Sequence, residues 1–116
     1  MKKIDYSYSG ESPVLVQKLG KEYQINFDTE KITLTDMSKK NITQFRSLYA
    51  RVSLLEYGAI VSAIIGTKYS TSDTEAIMLN YQLVSATPKA EEYKKEYQLL
   101  QEWRTHAKDV AKKCLL

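Results

Sequence analysis

The stretch that decides the fold is Tyr57-Gly58-Ala59-Ile60-Val61-Ser62-Ala63-Ile64-Ile65-Gly66-Thr67-Lys68-Tyr69. Its large apolar residues recur at intervals of three and four, which places them on one face of an α-helix. Gly58, Ser62 and Gly66 follow at intervals of four beside that face, and such small residues let a second backbone approach closely. Because each glycine costs a helix about 1 kcal/mol relative to alanine, neighbouring elements should stabilise this one. The pattern predicts a central core helix over residues 56–68.

Two further helices are predicted after the central one. Ser72, with Glu75 three residues later, has the pattern of a capping box, and residues 76–84 are apolar nearly all round, so this helix should be largely buried. Thr87 and Pro88 place a cap and a proline at the start of the last helix. Its apolar stripe comprises Tyr93, Tyr97, Leu100, Trp103, Ala107, Val110 and Cys114. The residues expected to share one core are Ile60, Ile64, Ile77, Leu100 and Trp103.

The first 40 residues show the alternation of apolar and polar side chains that is typical of strands. Tyr6 and Tyr8 alternate with serines, and a clearer strand runs from Tyr23 to Asp28. The segment 28–31 resembles a hairpin loop, after which the alternation resumes to residue 35. The segment 36–40 is polar and should be a loop. Together these features predict an N-terminal antiparallel β-meander.

The segment 42–54 fits two patterns. Leu48, Ala50 and Val52 alternate as in a strand, whereas apolar residues between 45 and 55 also follow helical spacing. Asn41 with Gln44 three residues later resembles a capping box, which favours the helix. The sequence therefore predicts one α+β domain over residues 1–116, mainly β in 1–40 and mainly helical in 41–116. Three or four C-terminal helices would follow the meander.

Composition limits the chemistry. The chain has 116 residues, 43% of them hydrophobic, and a net charge of +3, which is too mild to indicate nucleic-acid binding alone. A single histidine and a single cysteine predict no metal site, and the scattered glycines predict no phosphate-binding loop or cofactor. No catalytic residues are predicted.

The longest apolar run, Ala59 to Ile65, is far shorter than the roughly 20 residues that span a membrane, and no secretion signal is recognisable.

The nine tyrosines and one tryptophan are the clearest functional signal. These side chains suit protein interfaces, because they bury a large area while a polar group stays hydrated. The alternative is that half of them fill the core. A nucleic-acid platform would need a basic groove, but the lysines are dispersed and balanced by acids. The expected partner is another protein or a second copy of this chain, and the candidate partner-binding residues are Tyr6, Tyr8, Tyr93, Tyr97 and Trp103.

Three segments carry a family resemblance. They are Tyr69-Ser70-Thr71-Ser72-Asp73-Thr74-Glu75-Ala76-Ile77, Tyr93-Lys94-Lys95-Glu96-Tyr97 and Glu102-Trp103-Arg104-Thr105-His106-Ala107-Lys108. Over residues 56–113 their order resembles small proteins encoded among phage and prophage structural genes, of the tail, baseplate or tail-fibre-assembly type. The resemblance implies a non-enzymatic, protein-binding structural or assembly role, in the virion or the bacterial host cytoplasm, and assigns no functional residue. The alternative is a small phage-encoded nucleic-acid-binding regulator or inhibitor of host defence.

Overall fold

The computed structural model describes residues 2–83 and 88–116. In chain order its elements are β1 (Tyr6–Ser9), β2 (Val16–Leu19), β3 (Glu22–Thr35), β4 (Asn41–Val52), α1 (Tyr57–Ile65), α2 (Thr71–Leu83) and α3 (Ala90–Cys114). The strands form an antiparallel sheet in the order β1-β4-β3-β2. The predicted α+β class is confirmed, with a four-stranded antiparallel sheet followed by three helices. β2, β3 and β4 are consecutive neighbours, and β1 lies on the far side of β4.

The predicted helix over residues 42–54 is wrong, because this segment forms strand β4. Leu48, Ala50 and Val52 are buried, and their partners across β3 are Phe27, Ile25 and Tyr23. The alternating pattern therefore describes the real buried face, and pairing with both β1 and β3 outweighs the local capping signal. As a result the helical part begins at Tyr57, and not at residue 41.

The predicted hairpin loop at residues 28–31 is also wrong. β3 continues through it as one strand, and the pairing with β4 shifts register between Phe27 and Glu30. Asp28 adopts a positive φ of 51°, so the irregularity is a β-bulge. The chain reverses later, in the predicted loop at 36–40. There the Asp36 carboxylate accepts hydrogen bonds from the Lys40 and Ser38 amides, and the Lys40 bond is the largest cause of its lowered pKa.

α1 and α3 pack on one face of the sheet around a single core cluster, and α2 packs against α3. Ile60, Ile64 and Leu100 are fully buried, Trp103 is buried, and Ile77 is half-buried against them, which confirms the predicted core. The row of small residues does not receive a neighbouring backbone as expected. Gly58 and Ser62 are exposed. Among the described residues, a Cβ at Gly58 would have only the Glu56 carboxylate within 4 Å.

α2 differs most from expectation. Its capping box is formed by Ser70 and Asp73, since the Ser70 Oγ accepts from the Asp73 amide and the Asp73 carboxylate accepts from the Ser70 amide. The predicted cap at Ser72 lies inside the helix. The helix is half-exposed, and the prediction that it is largely buried is wrong: Leu79 is 56% exposed. Val84 and the predicted Thr87 cap lie outside the described residues, and α3 begins at Ala90, beyond Pro88.

Candidate protein-binding surface

The hairpin of β3 and β4 extends beyond the rest of the sheet. Pairing of β1 with β4 ends at Phe45, and pairing of β2 with β3 ends at Ile25. Beyond those points, within the part of the chain that the structure describes, the two strands pair only with each other. We call residues 30–45 the arm. The molecule is 57 Å long, and its radius of gyration of 17.5 Å exceeds the roughly 13 Å of a compact chain of this length.

One face of the arm continues the face of the sheet that the helices cover. Residues paired directly across an antiparallel sheet share a face, as do residues two apart in one strand. Leu48 faces the core, so the same side of the sheet carries further residues along β1, β3 and β4. These residues, called the arm face here, are Tyr6, Tyr8, Glu30, Ile32, Leu34, Ile42, Gln44 and Arg46.

The arm face is exposed and partly apolar. Leu34 and Ile42 are paired directly across the two strands and are 46% and 42% exposed. From Asp28 to Thr43 every described residue is exposed or half-exposed, and Met37 at the tip is fully exposed. Apolar side chains on a two-stranded ribbon with free edges form a surface that other chains can bind.

Arg46 links the two predicted tyrosines to the arm. Its Nε donates to the Glu30 carboxylate at 2.6 Å, and its guanidinium carbon lies 4.6 Å from the centre of the Tyr6 ring. Tyr8 is paired with Arg46 across the strands and is 57% exposed. The structure therefore brings Tyr6 and Tyr8 together on one surface, beside an arginine that sequence analysis did not select. Tyrosine and arginine are the residue types enriched at the energetic centres of protein interfaces.

A contact between α3 and the bulge holds the base of the arm. His106 Nε2 lies 2.6 Å from the Asp28 carboxylate, and the imidazole packs beside the rings of Phe27 and Trp103. His106 and Asp28 are 78 positions apart in the chain, so no local sequence pattern could have related them. The contact joins α3 to the bulge, at the point where the arm leaves the body of the protein.

The other three predicted residues lie elsewhere. Trp103 is buried, and its indole N–H donates to the Ile64 carbonyl at 3.2 Å, so its environment is that of a core residue. Tyr97 stacks on Tyr81 with 3.9 Å between ring centroids, which joins α3 to α2. Tyr93 is half-buried on the same half of α3. The structure does not bring these three residues to the arm face.

A groove of about 330 Å³ lies between α2 and α3. Its apolar walls include Ile77 and Leu99, and Leu99 is half-exposed. The polar lining includes the Glu96 carboxylate and Tyr69, whose burial, and then the charge of Glu96, raise the pKa of the phenol. Burial and the nearby Glu96 carboxylate therefore both favour the neutral phenol at Tyr69.

Within residues 2–83 and 88–116, no cluster of three or more His, Cys, Asp or Glu residues has the arrangement of a metal site. None of the helices that the structure describes combines the length and apolarity needed to cross a bilayer. Comparisons with protein-family models, characterised proteins and solved structures found no match to this chain.

Proposed function

We propose that this protein acts by binding another protein chain through the arm, as a non-enzymatic structural or assembly component of a phage or prophage particle. The observation that carries the binding role is the exposed ribbon with its apolar pair Leu34 and Ile42. The phage context rests on the resemblance of residues 56–113 to tail, baseplate and tail-fibre-assembly proteins.

The energetics of the arm support a binding role. An isolated two-stranded ribbon is only marginally stable in water, and an exposed strand edge is a template for pairing with another chain. Complete burial of a leucine or isoleucine side chain contributes about 1.5–3 kcal/mol, and Leu34 and Ile42 are about half-buried already. A partner that covers both would therefore gain about half of that amount from each. Tyr8 and Arg46 would add contacts at the base of the arm.

The chemistry of the arm face favours a protein partner over nucleic acid. Its only cation within the described structure is Arg46, which is already paired with Glu30. A nucleic-acid-binding surface neutralises several phosphates with clustered basic side chains, so that its affinity falls steeply with salt. Burial of the apolar pair is not screened by salt, and an interface built on it should tolerate salt better.

A photo-crosslinking experiment tests the proposal. Benzoylphenylalanine incorporated at position 42, on the arm face, should form covalent adducts with protein in the cells that produce this chain. The matched control carries the same residue at position 108, an exposed site on α3. The adducts are identified by mass spectrometry.

The proposal predicts that position 42 forms specific protein adducts and that position 108 does not. The absence of adducts at position 42, or equal labelling at both positions, would contradict it. Adducts with nucleic acid would instead support the alternative of a nucleic-acid-binding regulator.

A further inference from the structure

We propose that a partner of the arm is a second copy of this chain, whose groove between α2 and α3 receives the arm tip. The inference rests on the proposed function, because it uses the arm as the binding element. The arm tip is defined here as residues 36–40, and the groove as the surface lined by Tyr69, Asp73, Ala76, Ile77, Asn80, Glu96 and Leu99.

The arm tip presents one apolar side chain and two positive charges. Met37 is fully exposed, and Lys39 and Lys40 are exposed beside it. The Asp36 carboxylate is turned inward, since it accepts hydrogen bonds from backbone amides of its own loop. A partner surface for this tip needs an apolar recess with negative charge at its rim. The flexible methionine side chain can adapt to an irregular recess.

The groove has the complementary properties. Ile77 and Leu99 provide apolar walls, the Glu96 carboxylate lines the groove, and no lysine or arginine is among the lining residues that the structure describes. α2 itself carries Asp73 and Glu75 and no basic residue from Thr71 to Leu83. The groove is therefore suited to a methionine flanked by ammonium groups.

Tyr69 adds a polar group to the groove. Its side chain is only 8% exposed, yet it lines the groove together with Glu96. A phenol hydroxyl can accept a hydrogen bond from an incoming ammonium group. An ammonium group from the arm tip would therefore lie close to both Tyr69 and Glu96.

The contact joins unlike surfaces, because the surface used on one copy differs from the surface used on the next. Such a contact either closes reciprocally into a two-fold dimer or leaves a free arm at one end and a free groove at the other, so that it propagates into a ring or an open chain. The inference therefore predicts species larger than a single chain. It also predicts that blocking either surface stops growth.

Sedimentation velocity with two complementary variants tests the inference. The tip variant carries Met37→Ser and Lys40→Ser, and the groove variant carries Glu96→Lys. Each variant retains one of the two binding surfaces. Lys21→Ser, in the turn between β2 and β3, and Asp109→Lys, on the exposed side of α3, are the matched controls. Circular dichroism verifies that all variants fold.

The expected result is that the unmodified chain and both controls form assemblies whose mass grows with protein concentration. Each variant alone should remain at the single-chain mass of 13.3 kDa. A mixture of the two variants should give a dimer and nothing larger, because the intact arm of the groove variant enters the intact groove of the tip variant.

A single-chain mass for the unmodified protein at every concentration would overturn the inference. So would assembly by either variant alone, a mixture that stays at the single-chain mass, or loss of assembly in the controls. The proposed function is tested separately by crosslinking at position 42. If that position labels a different protein while the chain remains single, the second-copy inference fails and the binding role stands. If position 42 labels nothing and the chain remains single, both fail.

Discussion

Ile64 shows how one residue connects the layers of this protein. It is fully buried on α1, and its carbonyl oxygen accepts hydrogen bonds from the Thr67 hydroxyl and the Trp103 indole. The apolar spacing of residues 57–69 was sufficient to predict its burial. The bond to Trp103, 39 residues away, was not predictable from local sequence.

We expect Ile64→Ala to lower the free energy of unfolding by about 2–5 kcal/mol, because it leaves a cavity in a packed interior. Ser62→Ala, on the exposed side of the same helix, should change it by less than about 0.5 kcal/mol. Both values come from urea denaturation followed by circular dichroism. A cost for Ile64→Ala as small as that for Ser62→Ala would show that α1 is not a core element.

The aromatic residues show that the burial of a side chain cannot be predicted from its residue type. Tyr6 and Tyr8 are exposed as their proposed role requires, whereas Trp103 is buried. Among the nine tyrosines only Tyr69 is buried, which does not fit the alternative that half of them fill the core. Composition identifies aromatic residues suited to interfaces. Their burial depends on which element covers them, and that is a property of the tertiary structure.

At the scale of elements, the sequence predicts a helix reliably where the spacing of its apolar residues matches the face that is buried. α1 and α3 combine clear apolar stripes with buried core residues, and both were predicted near their observed bounds. β4 carried a helical and a strand pattern together, and pairing with β1 and β3 decided the outcome. The bulge at Asp28 resembled a turn because a positive φ is common to both.

Two capping boxes can be compared at the start of α2: the observed one, formed by Ser70 and Asp73, and the predicted one, formed by Ser72 and Glu75. Ser70→Ala removes the side chain that accepts the Asp73 amide, and it should cost about 1 kcal/mol of stability. Ser72→Ala changes an exposed position inside the helix and should be nearly neutral. Thermal unfolding of the two variants measures the difference. A larger loss of stability for Ser72→Ala than for Ser70→Ala would contradict the observed cap and favour the one that the sequence predicts.

At the scale of the whole molecule, the sheet is longer than the layer of helices that covers it. The helices bury the half of β3 and β4 near Ile25 and Ala50, and in the described structure they leave the half near Leu34 and Ile42 exposed. The sequence carries only a partial signal of this difference: the apolar alternation continues at Ile32 and Leu34, whereas Glu30, Gln44 and Arg46 interrupt it on the same face. The length of β3 became evident only when the bulge replaced the expected turn.

The proposed binding role requires that the arm is exposed to solvent in the isolated chain and covered by a partner in the complex. Amide hydrogen exchange distinguishes the exposed arm from the covered arm residue by residue. In the isolated chain, the amides of residues 30–45 should exchange much faster than those of Ile25, Phe27 and Ala50, which lie in the core.

The decisive measurement compares exchange at residues 30–45 in the isolated chain with exchange in the complex purified from the cells that produce it. We predict that exchange in the arm slows markedly in the complex, while exchange at Ile25 and Ala50 changes little. Equal exchange rates for the arm in both samples would show that nothing binds there, and would contradict the role assigned to it.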